Sequence, residues 1–153
     1  MSKVETYNSI ADLQKRLNFR VKELQDRVKS MHGKRVIVGI PPGAKYPDGK
    51  SVAKVADQIV YGVNENGTRM RAGPRPFIKI AELANGKKWL RMLQDGVREE
   101  LRRRQSSNLR PLLLKVGNRM VSDIRKVMID LDVYDTGKMH DSITVLQVNN
   151  KKV

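Results

Sequence analysis

Three groups of residues in this chain have types and spacings that could do chemistry. The first is Gly43-Ala44-Lys45-Tyr46-Pro47-Asp48-Gly49-Lys50-Ser51, which lies between a predicted strand and a predicted helix, where a phosphate-binding loop would sit. That motif needs four residues between its glycines, and here there are five. Pro47 also removes a backbone N–H from the anion cradle that such a loop exists to build. The second group is His140 and Asp141 with Asp135, three possible ligands for a divalent ion. Asp and Gly at a turn leading into a strand are more simply explained by backbone geometry. No GxSxG or similar nucleophile motif occurs. The third group is basic. At 100° per residue, Lys87, Arg91, Arg98 and Arg102 fall within a helical sector of about 60°, turned away from Glu99 and Glu100. Such an edge suits phosphate contact that positions a duplex without reading its sequence. These residues point to a non-enzymatic protein, with no cofactor and no metal expected.

Composition narrows the class further. The chain has 153 residues, enough for one domain, and a formal charge of +15 from 31 basic and 16 acidic residues. Residues 1–76 carry 15 basic and 7 acidic side chains and residues 77–153 carry 16 and 9, so the excess is spread over the fold and not held in a tail. A surface of this kind favours a polyanion. Cysteine is absent and only His32 and His140 are present, which excludes disulfides and a structural zinc cluster. No apolar run reaches the roughly 20 residues of a membrane span. A protein made in a reducing cytoplasm, without membrane contact, is expected. Aromatic residues are 5% of the chain, too few for a platform of stacked bases.

The elements that must position these groups follow from apolar periodicity. Ile10, Leu13, Leu17, Val21, Leu24, Val28 and Met31 recur every three or four residues, predicting one amphipathic helix over residues 8–31, stopped by Gly33. Packing of this stripe on its own domain is preferred over pairing with another subunit. Lys34–Ile40 reads as a strand. Ser51 is the expected N-cap of a helix that ends near Gly62. Residues 63–73 read as a long polar loop, mobile or ordered by a partner. After Gly73-Pro74-Arg75-Pro76-Phe77, a helical segment to Asn85-Gly86 is expected, then a longer helix over 87–104 with Leu90, Leu93, Val97 and Leu101 on one face. Pro111 suits the first turn of a further helix, with Leu113, Val116, Met120, Ile124, Val127 and Leu131 as its stripe. Ser142–Val148 reads as a second strand.

The predicted architecture is α+β: a small antiparallel sheet packed against several amphipathic helices, in a single domain over 1–153, with the long N-terminal helix at 8–31 and an α+β core at 34–148. Two strands alone are marginal. Hairpin pieces from residues 62–72, or a neighbouring subunit, are expected to complete the sheet. The stiff segment Pro74, Arg75, Pro76 and Phe77, with Trp89, forms the expected subunit or partner interface.

Four landmarks in order give the chain a resemblance to the neck, or tail-completion, proteins of tailed bacteriophages, the minor tail protein Z-like group. They are Val36-Ile37-Val38-Gly39-Ile40 before a proline loop; Ser51-Val52-Ala53 through Tyr61-Gly62; Gly73-Pro74-Arg75-Pro76-Phe77-Ile78 before a helix carrying Trp89; and Asp135-Thr136-Gly137-Lys138-Met139 through Ser142-Ile143. The chain departs from that group in carrying Val60 where an acidic residue usually precedes Tyr-Gly. The resemblance implies a virion component, assembled in the infected cell's cytoplasm, that forms a homo-oligomeric ring, a hexamer, where head meets tail. Its partners would be connector, neck and tail proteins, with genomic DNA in the lumen facing Lys87, Arg91, Arg98 and Arg102. A free, sequence-nonspecific DNA-binding protein is the alternative.

Overall fold

The computed structural model describes residues 9–103, 108–133, 137–149 and 151–153. Arg104, Asp135 and Thr136, which entered the sequence reading, lie outside the described residues. Among those described, five helices and a three-stranded antiparallel sheet make an α+β fold.

Helix α1 (Ile10–Met31) starts at Ser9, whose side chain accepts the Asp12 N–H at 3.2 Å, and stops where His32 turns extended and Gly33 takes φ +74°. Strand β1 (Val36–Gly39) follows. Helix α2 (Val52–Tyr61) is capped by the Ser51 hydroxyl, which accepts the Lys54 N–H at 3.5 Å. It ends on Gly62 in the left-handed region at φ +67°. A Cβ at Gly62 would stand 2.5 Å from the Pro74 nitrogen, so the position needs both the conformation and the missing side chain.

Residues 63–73 fold on themselves, where the sequence pointed to a mobile or partner-ordered loop. The Asn64 side-chain oxygen accepts the N–H groups of Asn66 and Thr68 at 3.1 and 2.9 Å, and Val63 and Arg69 form an isolated bridge. An Asx turn of this kind satisfies the backbone locally.

Helix α3 (Phe77–Arg102) runs through Asn85 and Gly86 without the expected break. Phe77, Ala81 and Trp89 are all buried from this one helix. An interior glycine costs about 1 kcal/mol. Burial of large side chains at about 1.5–3 kcal/mol each outweighs it. Helix α4 (Arg110–Asp130) opens with Pro111 in its first turn and is the central element. Its Val116, Ile124 and Met128 pack with Val52, Phe77 and Trp89, while its Leu113 packs with Leu109, Val145 and Val148. At Gly117 a Cβ would come within 2.7 Å of Val36 and 2.9 Å of Val145, so the helix lies directly on the sheet there.

Helix α5 (Lys138–Ser142), absent from the sequence reading, precedes strand β2 (Thr144–Val148). Five residues are too few to show a helical period. Strand β2 pairs antiparallel with β1 from Val36↔Val148 to Gly39↔Thr144, with a register shift between Ile37 and Val38. Pairing of the first and last predicted strands is therefore as expected. The third strand is not. Strand β3 (Lys151–Lys152) completes the sheet beside β2, a role expected of residues 62–72 or of a neighbouring subunit. Two lysines carry no strand signature, and hairpin geometry places them, with Asn149 at φ +53°.

Replacing Gly62 by Ala should lower unfolding free energy by about 2–4 kcal/mol, from left-handed strain and the clash with Pro74. Urea denaturation followed by circular dichroism measures this, and an unchanged midpoint would refute the close approach.

Candidate functional site

Helix α3 owes its rotational setting to a buried carboxylate. Asp123, only 8% exposed, accepts the Trp89 indole N–H at 2.8 Å and the Arg119 Nε–H at 3.2 Å, with Lys88 Nζ at 3.9 Å. The carboxylate, on the side of α4 that faces α3, thus satisfies the one polar atom of an otherwise apolar Trp side chain. With Trp89 turned inward, the opposite side of α3 faces out.

Lys87, Arg91, Arg98 and Arg102 all lie on that outer side and all are exposed. The structure brings together the four residues that the helical wheel selected. Two of them are matched by carboxylates on the same helix: Arg98 reaches Asp95 at 3.3 Å and Arg102 reaches Glu99 at 3.9 Å. Exposed pairs of this kind are weak and are readily exchanged for phosphate. Among the described residues no carboxylate lies within 4 Å of Lys87 or Arg91. The same face also carries Leu83 and Leu90, 76% and 55% exposed. Leu90 was expected in the apolar stripe, but the inward face of α3 is set by Trp89, Met92, Leu93 and Val97 instead. The outer face is therefore mixed, basic with two isolated leucines.

The expected interface is largely internal. Phe77 has no exposed surface and Trp89 packs in the same core, so neither side chain is available to a partner in this fold. Proline rigidity and an aromatic residue signal a well-packed segment, and the core competes with a partner for that packing. Arg75 is drawn inward as well. Its backbone N–H bonds the Ile59 carbonyl at 2.9 Å, and its guanidinium donates to the Asp132 carbonyl at 2.9 Å and the Leu131 carbonyl at 3.5 Å. Pro76 is half-buried and Pro74 alone of the five is exposed. The GPRPF segment staples α2, α3 and the end of α4 together.

Two of the weaker chemical groups are also placed. Around the 43–51 loop, the N–H groups of Ala44, Tyr46, Gly49 and Val52 donate to the carbonyls of Pro41, Lys50, Tyr46 and Ala44, and the Lys50 N–H donates to the Asp48 carboxylate. Those amides face inward and form no anion cradle. His140 Nδ1 stands 2.8 Å from the Asp141 carboxylate. A cavity of about 340 Å³ lies between α2 and the GPRPF segment, bordered by Tyr46, Gln58, Met70, Arg75 and Met139.

Sequence reasoning missed a different surface. The stripe of α1 was expected to pack on its own domain, yet no residue of α1 is buried. Ile10 is 84% exposed, and Leu17, Val21, Leu24 and Val28 are each about half exposed. The helix is held near its C-terminal end, where Met31 meets the sheet cluster and the Arg27 guanidinium donates to the carbonyls of Glu100, at 2.7 Å, Leu101, at 3.3 Å, and Arg103. The exposed C-terminal carbonyls of α3 are matched by this positive charge. No periodicity argument can say whether a stripe meets its own core or another chain.

Comparison with family models, with curated proteins and with solved structures gives no match.

Replacing Asp123 by Ala leaves Trp89 without its acceptor and Arg119 without its carboxylate. A loss of about 2–4 kcal/mol is expected in urea denaturation. Trp89, the only tryptophan, should report the change directly by altered fluorescence, and wild-type emission with wild-type stability would show the buried bond to be dispensable.

Proposed function

We propose that this chain is a structural component of a tailed-bacteriophage virion, packed with its copies into a ring at the head-tail junction and bordering the DNA passage. The observation that carries the reading is α1: 22 residues with a regular apolar stripe and no buried residue. A large exposed apolar surface on an otherwise compact domain is the mark of an assembly element. Ring formation needs two different faces on each subunit that meet repeatedly around an axis. The α1 stripe supplies one strongly marked face, and the edge of β1 turned away from β2, which pairs with no other strand among the described residues, supplies a backbone surface elsewhere.

The four ordered sequence landmarks support the phage assignment. Their described parts occupy connected places in the fold: β1 under α4, α2 capped by Ser51 and Gly62, GPRPF as the staple, and α5 leading into β2. In this reading the outer face of α3 lines or borders the lumen, where Lys87 and Arg91 hold DNA by phosphate charge alone. Connector, neck and tail proteins are the neighbours, and the particle assembles in the host cytoplasm.

A second reading, a free sequence-nonspecific DNA-binding protein, is favoured by the exposed basic side of α3. The two differ in what DNA does. A ring component assembles without it. A free binder should hold duplex DNA as the isolated chain, with affinity falling steeply as salt rises.

Cryo-electron microscopy and mass spectrometry of particles produced from the encoding genome should place the chain between head and tail. Its absence from purified particles would end the reading. Changing both Lys87 and Arg91 to Gln should flatten the slope of log affinity for duplex DNA against log salt by about 2, if both contact phosphate. An unchanged slope would remove the two residues from the DNA surface.

A further inference from the structure

Two buried side-chain polar atoms have no hydrogen-bond partner among the described residues: Asn149 Oδ1, at the turn from β2 to β3, and Arg75 Nε. Only the second belongs to a charged group, where an unmade bond is the more costly. Arg75 is held through one nitrogen. Its Nη1 donates to the Asp132 carbonyl at 2.9 Å and the Leu131 carbonyl at 3.5 Å, whereas Nη2 meets no acceptor among the described residues. The Nε–H and the adjacent Nη2–H are parallel donors, the edge of a guanidinium that fits both oxygens of one carboxylate. Within the described chain that edge is uncommitted.

Arg75 also lines the cavity of about 340 Å³ beside α2, a volume at the lower end of the roughly 300–1,000 Å³ of small-ligand sites. Much of its wall is apolar: Val55 and Ile59 from α2, Met70 from the 63–73 loop, Val133 after α4 and Met139 from α5. Polar groups are few. The half-buried Gln58 side chain lines the same space and makes no hydrogen bond among the described residues. Apolar walls with a small number of convergent polar groups are the usual make-up of a ligand site.

Charge narrows the class of ligand. Arg75 is the one cation among the described lining residues, and α2 lends its middle and last turns, so no helix N-terminus adds positive potential. A phosphate would be undercompensated. Asp132, exposed and also lining the cavity, has no basic group within 4 Å of its carboxylate among the described residues. A second negative charge on the occupant would be opposed there, which disfavours a diacid or an acidic protein segment.

We infer that this cavity binds a small monocarboxylate with an aliphatic body. Its carboxylate lies side-on to Nε and Nη2 of Arg75, near the Gln58 carboxamide, and its chain packs on Val55, Ile59 and Met139. The occupant supplies the acceptor that the fold does not, and it ties α2 to the end of α4 through the two sides of one guanidinium. Such a site would serve a virion subunit and a free DNA-binding protein alike.

Hexanoate is the probe, added to the full chain carrying ¹³C-methyl methionine. The Met70 and Met139 resonances should shift saturably, with a dissociation constant of about 1 mM or below, while Met31, packed at the sheet, does not respond. Hexanamide keeps the body and loses the charge, and adipate adds a second carboxylate; each should bind about 10-fold or more weakly. Arg75→Lys keeps a charge without the paired donors and should weaken hexanoate to a similar degree. Because that change also removes bonds to the end of α4, Val55→Phe supplies a second variant, filling the cavity with Arg75 intact. It should abolish the shifts with near-ultraviolet circular dichroism of the Trp89 core unchanged. No saturable shift in the wild type in the millimolar range would overturn the site. So would hexanamide or adipate binding as tightly as hexanoate, or undiminished binding in either variant. Binding that emerges only in Asp135→Asn would show that the chain's own carboxylate already meets this edge, and would overturn it as well.

Discussion

The buried carboxylate of Asp123 fixes how α3 and α4 face each other, and most of the outward surface follows from that. The Trp89 indole N–H, donating to it at 2.8 Å, connects the two longest core helices, and Arg119, one turn earlier on α4, donates to the same carboxylate at 3.2 Å, which compensates its desolvation. Rotating α3 by one residue position, 100°, would break the indole bond and bury Lys88 or expose the tryptophan ring. Neither is affordable in a core with one large aromatic at that point. The outer side of α3 is therefore basic because its inner side is pinned, and Lys87 and Arg91 project to solvent as a consequence.

A second constraint governs how the formal charge of +15 should be understood. Three arginines serve as donors to carbonyls where elements end. Arg27 meets the last carbonyls of α3, Arg75 meets those after α4, and Arg125 donates to His140, Asp141 and Ile143 at 3.0 to 3.1 Å, where α5 passes into β2. Each puts a cation at the negative end of a helix and satisfies acceptors the helix leaves open. Part of the basic excess is thus structural. Charge counting assigns every lysine and arginine to the surroundings, and so overstates what is offered to a polyanion.

The elements legible in the sequence are those whose signals are local and repeated. The periods of α1 and α4, the Ser51 and Gly62 ends of α2, and the β-branched runs of β1 and β2 all appear in the structure close to their expected places. The failures share a cause too. Gly86 looked like a stop because propensity is local, whereas the packing of Phe77 and Trp89 that overrides it comes from α4. Lys151 and Lys152 have no strand pattern because β2 supplies the order. Phe77 and Trp89 looked like contact residues because stiffness and aromaticity mark dense packing without saying between which partners. Asp123 left a trace: a carboxylate beside Ile124 on the apolar side of α4, with Arg119 four residues earlier. That juxtaposition signals a buried pair, and its partner on α3 is invisible until the helices are packed.

Helix α1 poses the opposite problem, since its signal was strong and its context was missing. Its local supports are small: the Ser9 cap is worth about 1 kcal/mol and the Asp12–Arg16 pair, at 3.6 Å, a few tenths. Helix nucleation is costly and propagation gains little per residue, so in a folded protein most of a helix's stability comes from packing its amphipathic face. The Arg27 clamp and Met31 secure the last two turns, while no residue of the helix is buried and most of its apolar stripe stays exposed. A helix so placed has its order coupled to whatever covers its stripe. The coupling works in both directions: association supplies the burial that the helix lacks, and a helix already anchored at one end surrenders less freedom on association than a free segment would. Covering the stripe would therefore stabilise the helix without first having to order its anchored end.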